Sequence, residues 1–339
     1  PQDLRFEDQE MPELGPGDIL VHVQAASICG TDLRIFKGAH RAFGPDTQRI
    51  PGHEIVGEVA AIGDDVTDFS PGERYFVAPN MGCGHCEQCV TGNNNRCREL
   101  EAIGVTMDGG FAEYMRLPAK GVQQGCLIPF SKDKDPAVGA LIEPLACVLR
   151  GQQAIRTGMN DIVLIIGAGP IGIMHAKLAR LRGASRILVS ELVEARRKQA
   201  LELGADRVID PINEDLKAII EEETKGKGAD VIIVAAPAHR AQEQALELAA
   251  IGGRISFFGG LPKDKPEIKF NSNHVHYKEL IISGTTASSS NNCQEAAALV
   301  NNGLIDLAPL VSERFPLSQV KRAFEVAQER QALKVVIEP

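Results

Sequence analysis

The spacing of apolar and polar residues changes character once along this chain. Up to about residue 145 the chain is rich in Gly and Pro and carries short β-type runs at 18–24, 55–62, 74–78 and 111–117. Pro-Gly pairs at Pro16 and Gly17, Pro51 and Gly52, and Pro71 and Gly72 mark turns between them. The pattern predicts a small antiparallel barrel or sandwich with long functional loops. Residues 1–10 read as entry into a strand after a turn, with a further short strand expected before Pro1.

Beyond residue 145 the rhythm differs. Residues 161–166 (D-I-V-L-I-I) form a continuous apolar run, as a strand buried on both faces requires. Residues 171–182 then follow a helical period. Further strands are predicted at 186–190, 207–209, 230–235, 254–258 and 280–283, with helices at 194–203, 213–223 and 241–250. Six strands with four intervening helices point to a doubly wound parallel sheet. The tail from about 287 mixes helix and strand and ends in an apolar strand at 334–337. It is too short to be a domain and is expected to return to the first one. The chain therefore divides into 1–146 with 287–339, and 147–286. The Ser and Asn run at 288–292 reads as a loop.

Composition narrows the function classes. A length of 339 residues suits two domains, and 44% hydrophobic with 24% charged residues is ordinary for a soluble globular protein. The net charge of −9 argues against nucleic-acid and anionic-membrane partners. No apolar stretch reaches transmembrane length, and no signal pattern opens the chain. Eight cysteines without such a signal point to the reducing cytoplasm. Cys126, Cys147 and Cys293 are expected to be buried thiols.

Four cysteines carry a specific signal. Cys83, Cys86, Cys89 and Cys97 are spaced C-x2-C-x2-C-x7-C in a polar stretch with too little apolar content to pack by itself. Four thiolates suit a tetrahedral zinc with no open position, which holds a loop and does no chemistry. An iron–sulfur cluster is the alternative, although ferredoxin spacing has a shorter last gap followed by proline. A second motif follows the buried strand at 161–166. In G-A-G-P-I-G, Gly167, Gly169 and Gly172 flank Pro170 and Ile171 and open the helix. This is the arrangement in which a backbone turn approaches a pyrophosphate at a helix N-terminus. Glu191, 19 residues past Gly172 and directly after the next strand, suits a ribose diol and favours NAD over NADP. Arg196 stands close enough in sequence to take a 2′-phosphate instead. The ordinary alternative is a glycine turn with a solvated glutamate.

Cys29, His53 and Glu143 offer a thiolate, an imidazole and a carboxylate, a donor set suited to zinc with a fourth position open. Each also has an ordinary reading: a buried thiol, a turn histidine and a helix-start cap. P-G-H-E, C-x2-C-x2-C-x7-C, E-P-L and G-x-G-x-x-G, in this order, closely resemble the zinc-dependent medium-chain alcohol/polyol dehydrogenases over nearly the whole chain. E-P-L-A-C and H-Y-K-E (276–279) resemble the sorbitol, threonine and polyol-phosphate branch. The resemblance implies a GroES-like catalytic domain over 1–146 and 287–339, a Rossmann NAD-binding domain over 147–286, and a cleft between them. It implies two zinc ions per subunit and a homodimer or homotetramer. Cys29 and His53 would ligate the catalytic zinc, with Glu54 and Glu143 at the same ion directly or through water. Thr31 would relay the substrate proton. The implied reaction passes a hydride to NAD from a secondary alcohol of a polyol, sugar or polyol phosphate. Threonine oxidation and a non-catalytic nucleotide-binding relative are the alternatives.

The sequence also departs from the sorbitol pattern. Arg34 falls where many relatives carry a relay histidine, and arginine cannot shuttle protons. It could hold an anionic or polyhydroxyl substrate or cofactor phosphates, or be a solvated loop arginine. Ile35 replaces a substrate-facing tyrosine, and Thr285, Thr286 and Ala287 fall near an Arg-Tyr pair.

Overall fold

Strands form where the apolar runs lie, and their pairing brings distant segments together. The computed structural model describes residues 2–40, 42–44, 47–329 and 331–339. The first part of the chain contains β1 (Ile19–Ser27), β2 (Glu54–Ile62), β3 (Arg74–Val77), β4 (Asn80–Met81), β5 (Glu101–Ala102), β6 (Tyr114–Leu117) and β7 (Leu127–Pro129). The middle contains β8 (Ile162–Ile166), β9 (Arg186–Ser190), β10 (Arg207–Ile209), β11 (Ala229–Val234), β12 (Ala249–Phe257) and β13 (Ile281–Ser283). The tail adds β14 (Val311–Pro316) and β15 (Lys334–Glu338). The chain forms two compact units, one of residues up to Ala146 with Ala287–Pro339, the other Cys147–Thr286. No helix among the described residues is long and apolar enough to cross a membrane.

The sheet of the first unit runs β14-β15-β1-β2-β3-β7, with β6 also pairing β1. Its pairs are antiparallel except β14 with β15. Irregular register in β1 between Leu20 and Val21 and between Val23 and Ala25 bends the strand. Its first half therefore pairs β6 and its last two residues pair β15. Ser27 ends up opposite Glu54 on one side and Val336 on the other.

Three expectations for this unit change. Residues 2–15 form no strand; pairing begins at Ile19, after the turn at Pro16 and Gly17. The run at 111–117 forms a strand only from Tyr114, because Phe111 is buried with its ring against Gly52. The polar run at 288–292 starts the helix Ser290–Asn301. Ser289 Oγ accepts from the Asn292 amide and Asn292 Oδ1 accepts from the Ser289 amide, a capping box that the Ser and Asn residues supply.

The second unit is a parallel sheet ordered β10-β9-β8-β11-β12-β13. This is the doubly wound order whose direction reverses between β8 and β11. Alternation sends Val163 and Ile165 to one core, and Leu164 and Ile166 to the other. Truncating Ile165, which is fully buried, would cost about 2–5 kcal/mol. Helices Pro170–Leu181, Glu194–Glu202, Leu216–Glu223 and His239–Leu248 join the strands as expected, within a few residues. A fifth, Ser272–Tyr277, was not predicted. It has six mostly polar residues without a helical period, and Asn271 caps it by accepting from the Asn273 amide. Among the three other cysteines, Cys126 and Cys293 are buried, but Cys147 is only half-buried.

His175 lies in this core, fully buried. The Gln152 side chain donates to His175 O at 2.8 Å and approaches Nδ1 at 3.3 Å, so Nδ1 accepts and Nε2 carries the hydrogen. Nε2 has no hydrogen-bond partner among the described residues, and the ring meets Phe258 edge-on at 4.7 Å. Burial pushes its pKa down to about 3. The unfolded chain, with an ordinary histidine near 6.5, therefore takes up a proton first as the pH falls. Stability is lost between about pH 6.5 and pH 3 at up to about 1.4 kcal/mol per unit. His175→Leu should remove this penalty. In urea unfolding at pH 7, 6 and 5, the variant should gain on the wild type by about 1 kcal/mol per unit once the pH is below 6.5. Parallel pH curves would show that another group carries the acid sensitivity.

Candidate functional site

The ends of β1, β2 and β15 supply a compact donor set. Cys29 caps the helix Gly30–Phe36, two residues after β1; His53 precedes β2 and Glu54 opens it. One ligand atom from each of Cys29, His53 and Glu54 lies within 4.8 Å of the others, with His53 and Glu54 buried and Cys29 half-buried. Gly52 makes the turn into His53. Its φ of +94° and the Phe111 ring 2.8 Å from where a Cβ would stand both require glycine. Asp32, buried on the same helix, accepts from the Cys29 and Gly52 amides and lies 3.4 Å from His53 Nδ1. Burial works to lower the His53 pKa, but Asp32 and the Cys29 sulfur carry it well above the usual histidine value. A cation binding there would displace that proton.

Glu54 is fully buried and its two oxygens differ. Oε2 accepts from Ser27 Oγ and from Lys334 Nζ, while Oε1 has no hydrogen-bond partner among the described residues. Lys334, the first residue of β15, is itself buried and also donates to Ile28 O at 3.1 Å. Burial opposes its charge, but Glu54, Cys29 and Asp32 raise its pKa and keep it protonated. Removing one partner of such a buried pair costs about 3–5 kcal/mol, because the other charge is stranded.

The remaining predicted residues fall around this trio. Glu143 is buried near the start of the helix Ile142–Ala154 and lies outside the trio, with its charge bearing on Cys293. Thr31 Oγ1 accepts from Arg34 Nη2 at 2.9 Å, and Arg34 is exposed. Ile35 is half-buried on the same helix. Thr285 and Thr286 close the second unit, and Ala287 starts the returning segment with φ +54°.

The four-cysteine run closes on itself. Sγ–Sγ distances are 4.0 Å for Cys83–Cys89, 3.5 Å for Cys86–Cys89 and 3.9 Å for Cys86–Cys97. Four sulfurs around one tetrahedral zinc stand roughly 3.8 Å apart. That leaves room for one ion, whereas a cluster would spread the thiolates over several irons. Backbone amides at His85 and Cys86 bring the Cys83 thiol down to about 6, while burial and the neighbouring sulfurs push Cys89 up to about 12. Four thiols this close cannot all ionise without a cation. Asn94 ties the lobe down, donating to Asn80 O at 2.8 Å and accepting from the Ser290 amide at 3.0 Å.

In the second unit the glycine motif forms the turn from β8 into the helix Pro170–Leu181, with Gly169 as its cap. Gly167 has φ +106°, and a Cβ on Gly172 would stand 1.9 Å from Gly167 O, so helix and strand meet only through glycine. Glu191 reaches back: Oε2 accepts from the Ala168 amide at 2.7 Å and Oε1 from the Val193 amide at 2.9 Å. Arg196 Nη1 stands 3.9 Å from the position of a Cβ on Gly169, beside the loop. Arg197 instead pairs with Asp210 at 2.9 Å and donates to Glu191 O, bracing the strand end.

Sequence reasoning missed Asp32, Ser27 and Lys334, all of which set the trio's geometry. One signal was available: a lysine opening the apolar strand K-V-V-I needs a buried partner. For the four-cysteine lobe, Cys89→Ser should release one equivalent of zinc and lower the melting temperature. Metal analysis with thermal unfolding tests this, and a variant that keeps both would rule out a structural ion there.

Comparison with known proteins places the chain. Residues 15–127 match the alcohol dehydrogenase GroES-like domain and 170–302 the zinc-binding dehydrogenase family. An L-threonine 3-dehydrogenase from Caldanaerobacter subterraneus subsp. tengcongensis is 36% identical, covering 98% of this chain and 94% of that protein. A zinc-binding dehydrogenase from Sinorhizobium meliloti 1021 bound to NADP superposes with a TM-score of 0.86 at 33% identity, over 97% and 94% of the two chains. A short chain alcohol dehydrogenase from E. coli CFT073 complexed with NADH gives 0.89 at 28%, over 100% and 97%. The chain belongs to the zinc-dependent medium-chain alcohol dehydrogenase family.

Proposed function

We propose that this zinc-dependent oxidoreductase oxidises a secondary alcohol of a polyol, sugar or polyol phosphate with NAD. The observation that supports it most is the convergence of Cys29, His53 and Glu54, whose donor atoms lie within 4.8 Å of one another. Those three hold the catalytic zinc, with Glu54 using the oxygen that Ser27 and Lys334 leave free. Glu143 contributes through water. Cys83, Cys86, Cys89 and Cys97 hold the second, structural zinc. Bound in these sites, zinc supplies Lewis-acid stabilisation of an alcohol oxygen, and NAD supplies the hydride acceptor.

The chain's own residues orient the reactants. Asp32 stands 3.4 Å from Nδ1 and orients the imidazole ring by its charge. Thr31 offers a hydroxyl two residues from Cys29. Gly167, Gly169, Pro170, Ile171 and Gly172 form the pyrophosphate turn, flanked by Arg196. Glu191 is held by two backbone amides and keeps lone pairs for a ribose diol, and its charge repels a 2′-phosphate. The relatives carry either NADP or NADH, so the preference for NAD rests on Glu191. A second reading, oxidation of L-threonine at its hydroxyl carbon, is favoured by the 36% identical relative.

Following NADH formation across polyols, polyol phosphates, L-threonine and ethanol separates these readings. A vicinal diol-type secondary alcohol should be oxidised well above ethanol, and comparable rates on ethanol would refute the substrate class. Dominant activity on L-threonine would favour the second reading. His53→Ala should abolish oxidation while binding NAD normally, and a fully active variant would remove the metal site from the reaction. NAD should exceed NADP in kcat/KM, with Glu191→Ala shrinking the gap. A wild type that prefers NADP would shift the assignment to Arg196.

A further inference from the structure

Arg34 extends from the helix that Cys29 caps, one turn beyond Thr31 and on the same face. Its Nη2 donates to Thr31 Oγ1 at 2.9 Å. A guanidinium has five N–H donors and no acceptor, so most of its capacity is left over. No carboxylate among the described residues pairs with it. The acidic residue of the same helix, Asp32, is turned inward and engaged with Cys29, Gly52 and His53. Arg96, Arg98, Arg156 and Arg240 are exposed and likewise form no ion pair with a carboxylate of the described residues, so what distinguishes Arg34 is its place beside Thr31, on the helix that Cys29 caps. The helix therefore carries an uncompensated cation beside a hydroxyl, two residues from a donor of the metal trio.

We infer that Arg34 binds an anionic group, carboxylate or phosphate, on the alcohol that this site oxidises. The inference rests on the alcohol oxidation proposed above and narrows its substrate class. The planar fork suits both anions and can hold either through two parallel hydrogen bonds. A net charge of −9 disfavours the approach of an anion, so its capture depends on a local cation that no carboxylate has neutralised. Because Arg34 only donates, Thr31 Oγ1 is an acceptor in that bond and its own hydrogen is free to turn to the substrate oxygen. In the oxidation the alcohol gives a hydride to NAD⁺ and a proton to water, and Arg34 takes neither. Its role is to position the substrate.

Two matched pairs test this with the zinc-loaded enzyme and NAD. One pair is a polyol and its terminal phosphate; the other is L-threonine and L-threonine amide. In at least one pair the anionic member should have the higher kcat/KM. That advantage should shrink as salt is raised. Arg34→Gln should cut the anionic-to-neutral ratio about 10- to 100-fold, mainly through KM, as expected for loss of a charged hydrogen bond. Arg34→Lys should restore part of it. The phosphate and carboxylate arms identify which anion is used. Equal losses for both members of a pair would overturn the inference, as would a fall in NAD affinity, measured by fluorescence titration, with the anionic preference intact. If the wild type oxidises the neutral alcohols with no preference, the inference falls and the proposed function stands. If it oxidises none of the alcohols, both fall.

Discussion

A carboxylate stripped of water keeps its charge only if something opposite and equally dry meets it, and the first unit is arranged around one such pair. Glu54 and Lys334 are both buried, and each opens a strand. Between them runs β1, whose last residue contributes Ser27 Oγ to the same Glu54 oxygen, and Ile28 just beyond it contributes its carbonyl to the same ammonium. The order β15-β1-β2 is thus fixed at one end by an ion pair as well as by backbone ladders. One Glu54 oxygen is committed and the other has no hydrogen-bond partner among the described residues, so the interaction that holds three strand ends together also fixes a carboxylate beside Cys29 and His53. A buried ion pair often adds little net stability, and its worth here lies in geometry.

The second unit meets a different constraint. Its strands are covered on both faces, so their side chains can be apolar throughout and carry no chemistry along their length. Polar function is confined to the strand ends, where the glycine turn after β8 and Glu191 after β9 stand together. The glutamate is used twice, accepting from the backbone of the loop while presenting its charge beside it. His175 shows what happens to a titratable group in the interior: it is kept neutral and its Nε2 goes unanswered.

How much of this could be read from the chain depended on distance in sequence. The β8–β13 strands were legible because each is a short apolar run ended by local signals, and the glycine motif because strand, turn and helix are contiguous. The four-cysteine lobe was legible because its donors lie within fifteen residues. The helix Ser272–Tyr277 was not, since it has a cap but no apolar period. The capping Ser289 was read as part of a loop, because serine and asparagine suit both roles and only the hydrogen bonds separate them. Cys29, His53 and Glu54 could be named from short motifs, but their convergence could not be derived. Their supports were invisible for the same reason: Lys334 and Glu54 are 280 residues apart, and no local pattern couples them.

That separation has a consequence for how the protein is made. β15 is made after every other strand described above, and it pairs with β1. The whole of Cys147–Thr286 is synthesised in between and contains its own cores, so it can fold as a unit while the chain is still growing. The amino-terminal segment has to wait, with Glu54 lacking its lysine and one edge of β1 open. The four-cysteine lobe draws its donors from one local stretch and can close early, although the Ser290 amide that anchors Asn94 arrives late. The donor set of Cys29, His53 and Glu54 therefore gains its supporting lysine only after the second unit has been synthesised, which favours metal loading late in folding.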